Sequence, residues 1–271
     1  MIIFKAKTQD AYSIKVLAEL LSNILKTGSF EIDKNGITLR MMDNHKKLLI
    51  DIVLQADDFN HYSFNSEQKL NIGINLIHFY KMLKSIKKKD SIEFYIDDEN
   101  DKEFNIKVVP RERNRETIST ILIQSIQSII IEKPVGYSNS VIVSSSEFQK
   151  MMKDMSNISS VISVESYQHN IKFCCNGGNV IKRNVIFGEH MEEQHEKILE
   201  QSFTTEQLTR ITKLSGLSNS LKIFSGNPIL FMSSIGSIGK IEIYIKSKEQ
   251  LLKENTEFDE NINDDDEDDD M

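Results

Sequence analysis

A chain of 271 residues, 39% of them hydrophobic, can bury one large core or two of ordinary size. It has no apolar run of about 18 residues and its N-terminus lacks the pattern of a signal peptide, so we predict neither a membrane span nor a leader. The two cysteines, Cys174 and Cys175, are adjacent and would point to opposite faces of a strand. We therefore expect no disulfide, no cysteine-based metal site and a reducing compartment.

The net charge of −8 is concentrated at the end of the chain. Residues 254–271 hold eleven of the 41 acidic residues and no lysine or arginine, which leaves 30 acidic against 33 basic residues elsewhere. Because a block of like charges repels itself and stays solvated, we predict that residues 251–271 form a disordered acidic tail. The tail is either a solubilising appendage or a mimic of nucleic acid that competes for a basic surface.

The first half of the chain predicts strands around two amphipathic helices. Residues 2–7 alternate as a strand, and apolar residues recur at helical spacing over 12–27. Asn35-Gly36 predicts a hairpin, and residues 47–54 predict a further strand. Asn75 is a suitable N-cap for a second helix over 75–88, which two alternating strands follow. This half is expected to form a domain over residues 1–122.

An isoleucine-rich stretch over 123–137 fits neither period and ends in the structure breakers Pro134 and Gly136, so we predict an interdomain connector. Its apolar residues either form a half-exposed strip or fold back onto their own domain. The pattern then restarts over 138–250, with a helix from about Ser146, a hairpin, a fourth helix from about Thr205 and closing strands. Two domains of similar construction are the simplest interpretation.

Each of the four predicted helices carries lysine or arginine on its polar face, and their starts are about 60 to 70 residues apart, which indicates an internal repeat. One such face is usually only solvated surface, but four in equivalent places favour contacts with a phosphate backbone. Aromatic residues for stacking on single-stranded bases are missing from these faces, which favours duplex. Lys87-Lys88-Lys89 is either an extension of the second face or a nuclear-localisation patch.

Motifs of common enzymes are missing from the sequence, including the P-loop, the nucleophile elbow, His-Glu-x-x-His and the dinucleotide-binding glycine pattern. The six histidines are scattered without the spacing of metal ligands. We therefore expect no catalytic residue, no metal site and no cofactor. An enzyme on an α/β scaffold is the remotest alternative.

The sequence resembles the eukaryotic-type sliding clamps, the proliferating cell nuclear antigen family. The likeness follows the family's order over about residues 1–248, everything but the tail. It is carried by KVLAELLSNIL (15–25), GITLRMMDNHKKLLIDIVL (36–54), GINLIHFYKMLKSIKKKDSI (73–92), SSSEFQKMMKDMSNIS (144–159), NIKFCCNGG (170–178), NPILFMSSIG (227–236) and IEIYIK (241–246).

The resemblance implies an α+β DNA-clamp fold, in which two similar domains each pack two helices on antiparallel sheets and assemble into a ring. It implies a head-to-tail homotrimer that encircles duplex DNA without reading sequence, is loaded by an ATP-dependent clamp loader, and is not an enzyme. The residues that would line the hole are Lys15, Lys26, Lys81, Lys84, Lys88, Lys150, Lys153, Arg210 and Lys213.

Family clamps tether DNA polymerase and other replication and repair proteins through a short peptide with a glutamine and a hydrophobic, aromatic plug. The resemblance places the pocket for that peptide under the connector, at Met42, Leu49, Ile129, Ile131, Pro134, Tyr137, Pro228, Ile229 and Tyr244. The sequence departs from the family at Lys46-Lys47 and at Lys246-Ser247-Lys248. Both changes touch the pocket rim and are expected to shift client preference toward acidic flanks.

The family pairs two edge strands between subunits, which here correspond to about residues 116–122 and 169–175. The alternatives are a subunit of a heterotrimeric checkpoint-type clamp, or a clamp-derived monomer that acts as a transcription or structural factor. A complete peptide pocket favours the homotrimer. The richness in lysine, isoleucine and asparagine is typical of an AT-rich genome, as in a protist or a large DNA virus. The compartment would be the nucleus, or a cytoplasmic replication site for a viral chain.

Overall fold

The computed structural model describes residues 1–112, 114–126, 129–189 and 196–265, and it describes the backbone alone for residues 257–265. The first half of the chain places two helices among nine strands. The helices are α1 (Ala11–Ile24) and α2 (Leu76–Leu83). The strands are β1 (Ile2–Thr8), β2 (Thr27–Asp33), β3 (Gly36–Met42), β4 (Leu48–Gln55), β5 (His61–Phe64), β6 (Leu70–Asn75), β7 (Ser91–Asp97), β8 (Asn100–Val109) and β9 (Thr117–Leu122).

The second half repeats this plan and ends in an additional helix. Its helices are α3 (Ser145–Ser156), α4 (Thr205–Arg210) and α5 (Lys248–Asp265), and short 3-10 helices lie at Ala56–Asp58 and Thr212–Gly216. Its strands are β10 (Ser140–Ser144), β11 (Val161–Ser166), β12 (Asn170–Asn176), β13 (Lys182–Gly188), β14 (Leu199–Thr204), β15 (Ser220–Phe224), β16 (Ile229–Ile235) and β17 (Gly239–Ile245).

The described strands form three sheets, in which all pairings between neighbouring strands are antiparallel. One sheet has the order β5-β1-β7-β8-β9 and another has the order β13-β12-β11-β14. The third, β10-β15-β16-β17-β4-β3-β2-β6, joins the two halves where β17 pairs with β4. The α+β class predicted from the sequence is confirmed.

The two halves share one strand order, which confirms the predicted internal repeat. Apart from β5, each strand of the first half has a counterpart: β1 to β4 correspond to β10 to β13, β6 to β14, and β7 to β9 correspond to β15 to β17. The helices α1 and α2 correspond to α3 and α4. By this correspondence, the pair β17 and β4 inside the chain is equivalent to the pair β9 and β13.

One continuous apolar core runs between the helices and the sheets of both halves. Leu17 of α1, Phe79 of α2, Met152 of α3 and Leu208 of α4 are all buried in it. Burial of such a side chain stabilises the fold by about 1.5–3 kcal/mol relative to exposure. The apolar stripes read from the sequence therefore face the core, and their charged faces are left to the outside.

Side-chain caps fix where the helices begin. Asn75 accepts the backbone N–H of His78 at 3.0 Å, as its N-cap position predicts. Thr204 and Gln207 form a complete capping box at the start of α4. α4 ends at Arg210 and is followed by the 3-10 helix Thr212–Gly216. The Thr209 hydroxyl donates to the carbonyl of Thr205 at 2.6 Å, a bond that often bends a helix.

The connector approaches the sheet closely at its first residues. The N–H of Gln124 donates to the carbonyl of Gly73 at 2.7 Å, and a Cβ at Gly73 would lie 2.3 Å from the carbonyl oxygen of Gln124. Glycine is therefore required there. From residue 125 to 139, the described residues are neither helical nor part of a strand. Over the described chain, no helix is long and apolar enough to cross a membrane.

Two expectations differ from the structure. Residues 169–175 were expected at a sheet edge, but β12 pairs with β11 on one side and β13 on the other, so β13 is the edge. Residues 251–271 were expected to be disordered, but the helix α5 extends through Asp265, and residues 266–271 lie outside the described chain. Ser247 starts that helix, since its hydroxyl accepts the N–H of Gln250 at 3.2 Å and its own N–H donates to the Gln250 amide oxygen.

Candidate nucleic-acid interface and peptide pocket

The helices α1 to α4 and the 3-10 helix Thr212–Gly216 pack into one contiguous layer. α1 contacts α2 and the 3-10 helix, and α3 contacts α4 and the same 3-10 helix. The charged faces predicted on separate helices therefore share one side of the sheets. We call this surface the helix layer.

Six of the nine predicted DNA-contacting residues are exposed on the helix layer or at its ends: Lys26, Lys81, Lys84, Lys88, Lys150 and Lys153. Lys150 pairs with Glu147 at 2.8 Å, and the Lys88 ammonium lies 5.7 Å from the centroid of the Tyr12 ring. Among the described residues, the other four lysines have no ion pair within 4 Å, so their charge is available to an external anion.

The other three predicted residues are half-buried and already have partners within the chain. Lys15 donates to the carbonyl of Ile86 at 3.0 Å. Lys213 pairs with Glu19 of α1 at 2.7 Å, which ties the second half to the first. Arg210 pairs with Glu206 at 2.6 Å and lies 3.5 Å from the Asp43 carboxylate. The free positive charge of the layer thus lies on Lys26, Lys81, Lys84 and Lys153, and Lys81 and Lys84 place two of these charges at the C-terminal end of α2.

A small apolar cluster, separate from the main core, lies beneath the connector. It contains Met42, Leu49, Ile131, Tyr137 and Tyr244, all predicted members of the peptide pocket, together with Phe224 and Leu230. Leu49 alternates with core residues along β4, so the cluster lies on the sheet face opposite the helices. We call these seven residues the pocket cluster.

Tyr137 joins the connector to the pocket cluster. Its ring centroid lies 5.8 Å from that of Tyr244 and 6.3 Å from that of Phe224. Its hydroxyl donates to the carbonyl of Pro228 at 2.5 Å. Burial raises the pKa of Tyr137 to about 12. The ring is thereby held in contact with the sheet rather than left to solvent.

Two predicted pocket residues lie elsewhere. Ile229 is fully buried in the main core, because side chains alternate along β16 and it is Leu230 that faces the pocket cluster. Ile129 is 75% exposed and outside the cluster. Pro134 and Pro228 are half-buried and do not belong to the cluster. Sequence reasoning missed Phe224 and Leu230, and alternation along β15 is the signal that could have found Phe224.

Charged side chains lie buried beside the pocket cluster. Asp51 of β4 and Glu242 of β17 are directly opposite in register, and 5% and 3% exposed. Arg40 forms two bonds of 3.2 Å to Asp51, and Lys133 of the connector lies 2.5 Å from Glu242 and 3.4 Å from Asp51. The Tyr244 hydroxyl donates to Glu242 at 2.7 Å. The sequence signal that could have found this group is an acidic residue within an apolar strand, as Asp51 is in β4 and Glu242 in β17.

Two opposing effects set the pKa of Glu242. Burial on its own raises the pKa, but hydrogen bonds from Lys133 and Tyr244 outweigh it and leave the pKa below the ordinary value. Burial and the bond to Glu242 both raise the pKa of Tyr244. The carboxylate is therefore charged and the phenol protonated at neutral pH.

The rim of the pocket carries fewer free cations than its sequence suggests. Lys246 pairs with Glu254 of α5 at 2.7 Å, and its N–H donates to the carbonyl of Lys47. Glu249 of α5 accepts the N–H of Ser202 at 3.0 Å. The first turns of α5 therefore place carboxylates where the lysines were expected to favour acidic client flanks.

Two sheet edges expose apolar side chains. Ile118 and Leu122 of β9 are 52% and 68% exposed, and Ile186 of β13 is 41% exposed. Each strand has a partner on one side alone among the described strands. An open edge with apolar residues is a template for pairing with another chain.

A repeated two-helix unit, a helix layer bearing free lysines and a pocket on the opposite sheet face together define a clamp fold. Residues 3–130 match the domain family "Proliferating cell nuclear antigen, N-terminal domain". Residues 131–249 match the domain family "Proliferating cell nuclear antigen, C-terminal domain". These matches cover most of the chain. The chain belongs to the proliferating cell nuclear antigen family.

Several known proteins are similar along nearly their whole length. The "Proliferating cell nuclear antigen" of Chaetomium thermophilum is 24% identical over 257 residues, covering 91% of this chain and 98% of the relative. The "Probable DNA polymerase sliding clamp 1" of Paramecium bursaria Chlorella virus 1 is 23% identical, covering 90% and 96%. The crystal structure of the Entamoeba histolytica protein superimposes with a TM-score of 0.78 at 22% identity, covering 92% and 100%, and supports the fold.

Proposed function

We propose that this chain is a sliding clamp of DNA replication: three copies form a ring around duplex DNA and tether DNA polymerase and other replication and repair proteins. An ATP-dependent loader would open the ring, and the clamp itself would catalyse no reaction. Its place of action is the nucleus, or a cytoplasmic replication site if the chain is viral. The relatives named DNA polymerase sliding clamps support this function.

One observation carries the proposal. Inside the chain, β17 pairs with β4 from Gly239 opposite Leu54 to Ile245 opposite Leu48. The equivalent strands β9 and β13 each have a partner on one side alone among the described strands. Repeating the internal seam between copies would pair β9 of one copy with β13 of the next. A head-to-tail contact of this kind generates a ring when its rotation closes.

The helix layer supports duplex DNA as the occupant of such a ring. Lys81 of α2, Lys84 at its C-cap and Lys153 of α3 lie exposed on the layer. Phosphate contacts from lysines on rigid helices position a duplex without reading its sequence. A clamp that slides requires contacts of this kind.

The pocket cluster supports tethering of client peptides. Tyr137, Tyr244 and Phe224 form an aromatic group on the outer sheet face, and Ile131 of the connector packs against it. Apolar pockets with aromatic walls are where peptide anchors bind. A complete pocket favours the replication clamp over a checkpoint-type subunit or a monomeric factor.

A threading experiment tests the encirclement. At high concentration, closed rings thread over the free ends of linear duplex DNA without a loader. We expect full-length protein to be retained on linear duplex with one blocked and one free end, and to be excluded when streptavidin blocks both ends. Equal retention on the two DNAs would contradict encirclement and indicate ordinary surface binding.

A further inference from the structure

Two buried carboxylates face each other at the seam between the halves of the chain. Asp51 of β4 and Glu242 of β17 are cross-strand neighbours, and both are almost fully buried. Like charges directly opposite each other on a sheet destabilise it, and a buried charge requires a partner. The pair therefore depends on the cations that surround it.

Three cations surround this pair, and one of them comes from the connector. Arg40 on β3 holds Asp51, and Lys240 on β17 lies 3.2 Å from the other oxygen of Glu242. Lys133 bridges both carboxylates, at 2.5 Å from Glu242 and 3.4 Å from Asp51. Among the described residues, Lys133 is therefore the connector residue that forms ion pairs with the sheet.

Lys133 lies between the two connector residues that belong to the pocket cluster, two residues after Ile131 and four before Tyr137. The same Glu242 carboxylate accepts the hydroxyl of Tyr244, which forms the floor of that cluster. One carboxylate therefore fixes both the floor of the pocket and the segment above it.

We propose that Lys133 is a positioning residue of the peptide pocket: its ammonium latches the connector onto Asp51 and Glu242 and holds Ile131 and Tyr137 over Tyr244. The inference rests on the proposed client pocket. Connector residues 129–139 lack strand pairing, so side-chain contacts order them. Besides the latch, the Tyr137 hydroxyl donates to the carbonyl of Pro228 and Arg40 donates to the carbonyl of Ile131 at 3.5 Å. A pocket ordered before binding saves the entropy of ordering it during binding.

Loss of the latch lowers the fraction of molecules with a formed pocket, and apparent affinity falls by that fraction. For Lys133→Gln we expect a loss of about tenfold in affinity for a peptide with an accessible pocket anchor. Lys133→Arg keeps the charge and reach, and is expected to retain most of the affinity. Lys240→Gln is the matched control, because it removes a cation from the same carboxylate without touching the connector.

The probe is a fluorescein-labelled synthetic peptide with one glutamine followed by an aliphatic and two aromatic residues, measured by anisotropy on the full-length chain. The second readout is the rate at which chymotrypsin cleaves after the half-buried Tyr137 without peptide, followed by mass spectrometry. Weak binding and fast cleavage confined to Lys133→Gln would support the latch. Wild-type behaviour of Lys133→Gln in both readouts, or equal losses in Lys240→Gln, would overturn it.

The two proposals fail separately. If the wild-type chain does not bind the peptide, the client pocket is contradicted, and the rate of cleavage after Tyr137 alone decides whether Lys133 holds the connector. If Lys133→Gln does not fold, Glu242→Gln replaces it, since that change keeps Lys133 and removes its shorter ion pair. Faster cleavage after Tyr137 in Glu242→Gln would support the latch, and an unchanged cleavage rate would overturn it.

Discussion

Lys81 and Lys84 are the residues whose charge is most clearly available to DNA. Both are exposed on or just beyond α2, and neither has an ion pair among the described residues. By contrast, the ammonium group of Lys15 donates to the carbonyl of Ile86, and that of Lys213 pairs with Glu19. Residue type alone predicted all four equally, and the partners that separate them come from distant parts of the chain.

Reversing both free lysines should therefore impair contact with DNA without harming the fold. We expect Lys81→Glu with Lys84→Glu to reduce retention on singly blocked linear duplex on the order of tenfold at low salt. Thermal unfolding should be unchanged, because exposed, unpaired side chains contribute little to stability. The control is Lys34→Glu at the tip of the β2–β3 hairpin. Retention equal to the wild-type chain would show that the helix layer does not face DNA.

Ile131 and Ile129 form a matched pair within the connector. Ile131 packs in the pocket cluster, whereas Ile129 is 75% exposed and outside it. We expect Ile131→Ala to weaken the fluorescein-labelled peptide about tenfold, the usual cost of truncating an interface anchor. Ile129→Ala should bind normally. Equal affinities for the two variants would place the client site elsewhere.

Ionisation of Tyr137 should make the free energy of unfolding depend on pH in the alkaline range. Its pKa is raised to about 12 in the folded chain by burial, against about 10 when unfolded. Its contribution to stability is thus fully present below pH 10 and is lost as the pH rises toward 12. Urea unfolding between these pH values should show a smaller fall in the free energy of unfolding for Tyr137→Phe than for the wild type. Parallel curves would contradict the raised pKa.

At the scale of elements, the sequence predicted the helices and most strands because their periods are strong. β13 was not predicted although Arg183, Val185 and Phe187 alternate along it, because none of its residues is fully buried and its apolar pattern is weak. The sequence could not predict which residues of β16 face the core and which face the pocket cluster. Ile229, Leu230 and Phe231 are each buried, so alternation of apolar and polar residues gives no sign of which face meets the pocket.

The exposed edge strands β9 and β13 lead to a prediction about assembly. Ile118→Glu combined with Ile186→Glu would bring like charges together if β9 of one copy pairs with β13 of the next, and like charges across a sheet destabilise it. We expect the assembly to dissociate to a folded chain of 31.2 kDa by light scattering. The control Ile198→Glu changes a similarly exposed isoleucine next to β14 and should leave the assembly intact. An intact assembly in the double variant would put the seam elsewhere.

At the scale of the whole molecule, charge is separated along the chain. The acidic residues of 254–271 account for the net charge of −8, while the helix layer carries free lysines. The sequence showed this separation directly, because it depends on composition. It could not show that α5 starts at the pocket rim, since that placement depends on Ser247, Glu249 and Glu254 meeting partners across the fold.

The ring is the central claim, and the mass of the purified chain in solution tests it most directly. Multi-angle light scattering at low micromolar concentration should give about 94 kDa, three times the 31.2 kDa chain. That result would mean that three copies of this chain close the seam between β9 and β13 without another subunit. A monomer of 31.2 kDa that persists at higher concentration would contradict the self-sufficient ring.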